Sequence, residues 1–203
     1  MATNIGTKKM PRGERERLIL DAATRRFAED GYAATSLANV AAAAGVTKPL
    51  IHSYIGPKDA LFEACLDRAS ANIAAHVRER LTDVAPGLAM ADAVFVAVFE
   101  ALEPRPHDWP LLYDTVVPGG SPVAAAVREH RWRVAELAID GVHQVTTVMR
   151  VTAPDDIDAA ARIWMSTLST LVRWWLAHPE NSAADMVARW RRLVDGLTRA
   201  LAP

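Results

Sequence analysis

From about Glu14 to Asp30, the apolar residues Leu18, Ile19, Ala22, Ala23 and Phe27 return at three- and four-residue intervals. That spacing lines one face of an amphipathic helix, and Gly31 supplies its stop. A second, shorter helix is predicted to start after Thr35 or Ser36, whose hydroxyls can accept from free N–H groups of its first turn, and to end at Gly45. A third is predicted from about Thr47 to Ile55, with Thr47 as N-cap, Pro49 in the first turn, where a missing N–H costs little, and Gly56-Pro57 as terminator. A longer helix is expected from about Lys58 to Leu81.

Beyond it the pattern stays helical, divided by proline and glycine near Pro86-Gly87, Pro104 to Pro106, Pro118 to Pro122, Pro154 and Pro179. No stretch alternates with period two for long enough to predict a strand, so the fold class is all-α. Two late stripes alternate three- and four-residue steps: Ile157, Ala161, Trp164, Leu168, Leu171 and Trp175, then Val187, Trp190, Val194, Leu197 and Leu201. Each describes a face that meets another helix, in a partner chain or in the protein's own core.

The segment Leu37–Tyr54 meets the steric requirements of a helix-turn-helix. Ala41 is small where two helices cross, and Gly45 sits at the turn. Val40, Ala44, Val46 and Ile51 supply a small core, while Thr47, Lys48, His52 and Ser53 point away from it. Spacing alone also allows an alanine-rich packing hairpin with no further role.

Charge shifts the balance. The net charge is −1, yet residues 1–60 hold nine Lys/Arg against six Asp/Glu, while the remainder holds fourteen against eighteen. A mildly basic head on an acidic body fits a nucleic-acid partner. Residues 1–13, with Lys8, Lys9 and Arg12, read as a flexible basic arm. A single cysteine, Cys65, within an amphipathic run points to a reducing compartment and a packing role. No signal peptide and no run of ~18 apolar residues is seen. The expectation is a soluble, cytoplasmic protein without a membrane partner.

The stretch Ala33-Ala34-Thr35-Ser36-Leu37, followed by Val40-Ala41, Ala44-Gly45-Val46-Thr47-Lys48, Tyr54 and Lys58-Asp59-Ala60-Leu61-Phe62, resembles the N-terminal signature of TetR-family transcriptional regulators. The resemblance covers roughly Arg15 to Cys65. It implies a helix-turn-helix DNA-binding domain at 14–58 and a helical ligand-binding and dimerisation domain at 59–203. By position, Lys48, Pro49 and His52 would read base edges, and Ser36, Thr47, Ser53, Tyr54 and Lys58 would hold phosphates of a double-stranded operator. The chemistry agrees: Lys48 can donate to guanine O6 or N7, and hydroxyls near helix N-termini suit phosphate oxygens. Ala38 stands where relatives often carry a polar or basic residue, and His52, Ile55 and Pro49 replace a usual Tyr, Phe and Gly. Base preference therefore cannot be copied from a relative.

The resemblance further implies a homodimer joined through the last two helices, here Trp164, Leu168, Leu171, Trp175, Val187, Trp190, Val194 and Leu197. It also implies a small-molecule effector bound among Phe95, Phe99, Trp109, Tyr113, Trp132, His143 and Met149. All six tryptophans lie beyond residue 108. The effector would be apolar or amphipathic, and its binding would release the operator by tilting or sliding the Lys58–Leu81 helix, the covalent route between the domains. Each candidate lining residue also reads as plain core. No metal or cofactor is expected: the histidines are scattered, and Asp155, Asp156 and Asp158 follow Pro154, where a helix N-terminus favours carboxylates. No nucleophile elbow, zincin pair or phosphate loop is present, which argues against an enzyme. The alternative is a helical ligand-binding or catalytic protein with a vestigial helix-turn-helix.

Overall fold

The structure is a computed structural model that describes residues 10–85, 87–148 and 150–201; for Leu88 and residues 138–140, 143, 144, 148 and 201 it describes the backbone only. These residues form α1 (Arg12–Ala34), α2 (Leu37–Ala44), α3 (Lys48–Tyr54), α4 (Lys58–Leu81), α5 (Leu88–Leu102), α6 (Asp108–Tyr113), α7 (Pro122–Val148), α8 (Pro154–Leu176) and α9 (Ala183–Leu201), with no strand among them. The protein is all-α, as its periodicity predicts. Gly31 interrupts α1 with φ 79° and ψ 166°, the break expected of it.

Packing divides the chain into two units. One comprises Met1–Ala71 and His107–Arg131; the other comprises Asn72–Pro106 and Trp132–Pro203. This grouping differs from the 14–58 and 59–203 division read along the sequence, because α6 comes back to pack on α1. Non-local contact of this kind leaves no trace in local periodicity. The core of the first unit joins Ile19, Ala23 and Phe27 of α1 to Val40, Ile51, Leu61, Phe62, Cys65, Trp109 and Leu112, all fully or almost fully buried. Phe62 meets Phe27 edge to face at 4.8 Å and Tyr32 at 5.0 Å. Arg68 ties α4 to α1 through Asp21 at 2.7 Å and Thr24 at 3.2 Å.

The second unit is built on α5, whose Val94 to Phe99 run is buried throughout. Phe95 stacks on Phe99 at 4.5 Å and on Trp190 at 4.7 Å, and Phe99 meets Trp175 at 5.1 Å. Trp175 also donates its indole N–H to the Asn181 carbonyl at 2.7 Å. At the start of α9, Ser182 and Asp185 exchange hydrogen bonds, Oγ accepting from the Asp185 N–H and Oδ2 from the Ser182 N–H. Asp155 and Asp156 lie in the first turn of α8, and Asp158 pairs with Arg162 at 2.7 Å. Among the described residues no cluster of ligating side chains could hold a metal, and no helix is long and apolar enough to cross a membrane.

Candidate nucleic-acid interface and effector residues

The hairpin formed by α2 and α3 is set by short-range chemistry. Ser36 caps α2 by accepting from the Asn39 N–H at 3.1 Å. At the other end, Gly45 is left-handed with φ 65°, its N–H reaches the Ala42 carbonyl, and the Val46 N–H reaches the Ala41 carbonyl at 3.0 Å. That pair of bonds is a Schellman closure, and its positive φ is why glycine stands there. α3 then starts from Thr47, whose side chain makes no cap hydrogen bond, with Pro49 in the first turn. Ile51 is fully buried and anchors α3 against the head core.

Burying Ile51 dictates what α3 shows. Lys48, Pro49, His52 and Ser53 are all exposed and occupy two adjacent rows at four-residue spacing, so they share one face. Thr47 is exposed beside them, and Ser36 is half-buried. Among the described residues neither Lys48 nor His52 has an intramolecular polar partner. The Ser53 hydroxyl donates to the Leu50 carbonyl at 3.0 Å, which leaves its oxygen free to accept.

Two of the expected contact residues are more constrained. The Tyr54 hydroxyl accepts from Arg15 Nη1 at 2.9 Å, and the Arg12 and Arg15 guanidinium carbons lie 5.3 and 5.9 Å from its ring centroid. Lys58 Nζ donates to the Ala33 carbonyl at 3.2 Å and sits 4.4 Å from the Tyr32 ring centroid. The Tyr32 hydroxyl in turn donates to Asp59 at 2.5 Å, and burial together with that carboxylate pushes its pKa up to about 12. Lys58 therefore staples α1 to α4 with one of its three donors. The sequence reading missed Arg12 and Arg15 beside Tyr54; their only signal was the basic count of the N-terminal region.

The residues expected around an effector come from both units. Phe95 and Phe99 lie in the second unit, 1% and 0% exposed, while Trp109 and Tyr113 lie in the first. Trp132 is 59% exposed. The His143 side chain and the whole of Met149 lie outside the described residues. A cleft of about 300 Å³ lies between α5 and α9, lined by Ala89, Asp92, Trp190, Arg191, Val194, Asp195 and Thr198, none of them expected as effector-lining from sequence.

The late stripes are buried to differing degrees. Leu168 and Trp175 are 3% and 6% exposed, and Trp190 stacks on Phe95 of the same unit. Leu171, Trp164, Val187 and Val194 are half-buried. Leu197, by contrast, is 63% exposed, together with Ile163 and Leu193, which the stripes did not include.

A three-helix head with a capped α2, a left-handed glycine turn and an outward α3 is a helix-turn-helix. Residues 19–65 match the family described as Bacterial regulatory proteins, tetR family. The chain is 29% identical over 120 residues to the HTH-type transcriptional activator FasR of Mycolicibacterium smegmatis, a stretch spanning 59% of this chain and 55% of FasR. It is 39% identical over 89 residues to an HTH-type transcriptional repressor of Mycobacterium tuberculosis, spanning 43% of each. The chain thus matches only about half the length of these relatives. In fold it is similar to the transcriptional regulator FadR from Bacillus subtilis in complex with stearoyl-CoA, with a TM-score of 0.70 at 16% identity, over 89% of this chain and 96% of that one.

Proposed function

We propose that this chain is a ligand-responsive DNA-binding transcriptional regulator, acting in the cytoplasm as a homodimer on a pseudo-palindromic operator. Residues 14–58 read DNA, and 59–203 sense an effector and dimerise. The observation that carries the reading is the single exposed face of α3, where Lys48, Pro49, His52 and Ser53 stand clear of the core that Ile51 anchors. A helix presented in this way enters the major groove N-terminus first. Lys48 and His52 read bases, while Ser36, Thr47, Ser53, Tyr54 and Lys58 engage phosphates, with Arg12 and Arg15 adding positive charge around Tyr54.

The regulator is a repressor released by an apolar or amphipathic molecule. The stearoyl-CoA complex of FadR, which shares the fold, supports an acyl-type effector. The exposed Ile163, Leu193 and Leu197 on α8 and α9 support dimerisation through those helices. Coupling need not run through α4 alone, as the sequence suggested, because α6 packs directly on α1. A coupling of about 1–3 kcal/mol weakens operator binding roughly 5- to 150-fold.

The test is fluorescence anisotropy of the full chain with labelled DNA from upstream of its own gene and from the adjacent intergenic region, against scrambled duplexes of equal length. Saturable, sequence-dependent binding supports the reading; equal affinity for all duplexes overturns it in favour of a helical ligand-binding protein with a vestigial head. A second reading, transcriptional activation, is favoured by the name of FasR. Transcript levels of the bound operon with and without the gene separate the two: a rise on deletion marks a repressor, a fall an activator.

A further inference from the structure

The effector's chemistry is open in the reading above, and three side chains of the first unit bear on it. Trp109 is fully buried, and its indole N–H has no acceptor among the described residues. Tyr113, four residues on along α6, holds its ring 4.5 Å from Trp109, and its hydroxyl is shut off from solvent and likewise unmatched. The other buried hydroxyls of this unit are served: Thr35 donates to Gly31 and Arg26, Thr115 to Pro110 and Phe27, and Ser70 pairs with His130. The Nε atoms of Arg15 and Arg68 are also unmatched, but those guanidiniums bond through their other nitrogens, whereas Trp109 and Tyr113 each have a single donor and it is unmatched among the described residues.

Arg131 of α7 adds charge. Its guanidinium carbon lies 5.9 Å from the Tyr113 ring centroid, and its Nε donates to the Leu112 carbonyl. Burial pulls its pKa down, opposed by Tyr113 and by the charge of the Asp114 carboxylate. Tyr113 remains protonated under all ordinary conditions, because burial, opposed by Arg131, pushes its pKa up to about 12. The cluster therefore sets two unmatched donors beside a positive charge. An indole N–H can only donate, so the group that satisfies it must bring the lone pair.

Resting on the effector reading above, we infer that Trp109, Tyr113 and Arg131 form a recognition point for a carboxylate, and that the effector is an organic acid whose oxygens these donors bind. Both orphaned atoms are sealed, so an acceptor reaches them only when α6 yields. α6 rests on α1, and the Thr115 hydroxyl at its end is within 3.4 Å of the Phe27 carbonyl. Binding there disturbs the packing of the head itself.

The test uses the full chain and two measurements. In the first, Tyr113→Phe removes a donor that has no acceptor among the described residues, so the melting temperature without ligand stays level or rises; a clear fall shows that the hydroxyl already has a partner, such as a buried water, and overturns the inference. In the second, octanoate, dodecanoate and hexadecanoate are titrated by calorimetry against the matching primary amines. At least one carboxylate is expected to bind saturably and the amines are not. Tyr113→Phe and Arg131→Gln should each weaken that carboxylate roughly tenfold, the size of one charge-assisted hydrogen bond. Absence of carboxylate binding, equal binding of the amine, or unaltered affinity in both variants overturns the inference. Operator binding by the unliganded protein is measured alongside: if it persists while no carboxylate binds, the inference fails and the regulator reading stands; if donor-dependent carboxylate binding occurs without operator binding, the reverse holds.

Discussion

The α2–α3 hairpin and the α8–α9 pair carry equally regular apolar spacing, yet the spacing means different things in the two places. In the hairpin, each apolar position is accompanied by a residue that fixes the chain's direction: Ser36 at one end of α2, Gly45 at the other, Pro49 inside α3. The outward face of α3 follows from those signals. In α8 and α9 the stripe is just as clean, but nothing local says whether its partner is the same chain or another. Trp175 and Trp190 find theirs in Phe99 and Phe95 of α5, while Ile163, Leu193 and Leu197 are exposed. Periodicity reports that a face is covered; only punctuation or packing reports by what.

The contrast is most easily broken by cavities. Ile51→Ala in the head and Leu168→Ala in the second unit should each cost about 2–5 kcal/mol, since both side chains are buried. Chemical unfolding of the full chain measures this; a cost well under about 1 kcal/mol at Leu168 would place its partner outside the protomer. Lys48→Ala should leave stability alone and cost about 1–3 kcal/mol on the cognate operator, with little change on random DNA, by fluorescence anisotropy. Ser36→Ala should lose about 1 kcal/mol of stability through its cap on Asn39, read as a lowered melting temperature.

The smallest stability effects are the most informative about assembly. Leu197 is exposed, so Leu197→Glu should shift the stability of the protomer by no more than about 0.5 kcal/mol. If the dimer forms through α9, the same change yields monomers in sedimentation at low micromolar concentration, whereas a charge at Leu168 unfolds the protein instead of separating it. A dimer that survives Leu197→Glu would move the interface to another face. Protonation offers a slight further effect at His107, whose pKa burial lowers below its ordinary 6.5 against Glu29. The unfolded chain takes up that proton first as pH falls, so stability declines below about pH 6.5, and His107→Gln should flatten the decline in melts between pH 8 and 5.

The helices, and the head as a recognition unit, were legible because their determinants are a few residues apart. Thr47 precedes α3, Gly31 breaks α1, and Pro154 opens α8, each within a turn of the boundary it sets. The clamp of Arg15 on Tyr54 spans 39 residues, and Thr115 reaches the Phe27 carbonyl across 88. No period or cap encodes such pairs. For the same reason nothing local announces that α6, with Trp109 and Tyr113, packs on α1.

Cys65, the one cysteine in the sequence, is fully buried, its Sγ 3.8 Å from the Leu20 carbonyl. A thiol so enclosed reacts slowly with maleimides and methanethiosulfonates while the fold is intact. A cysteine introduced at an exposed position clear of the DNA-facing residues, such as Ala43→Cys on α2, is then labelled selectively without first removing a native thiol. Paired spin labels at that position would turn the separation of two heads into a distance that can be followed as ligand or DNA is added.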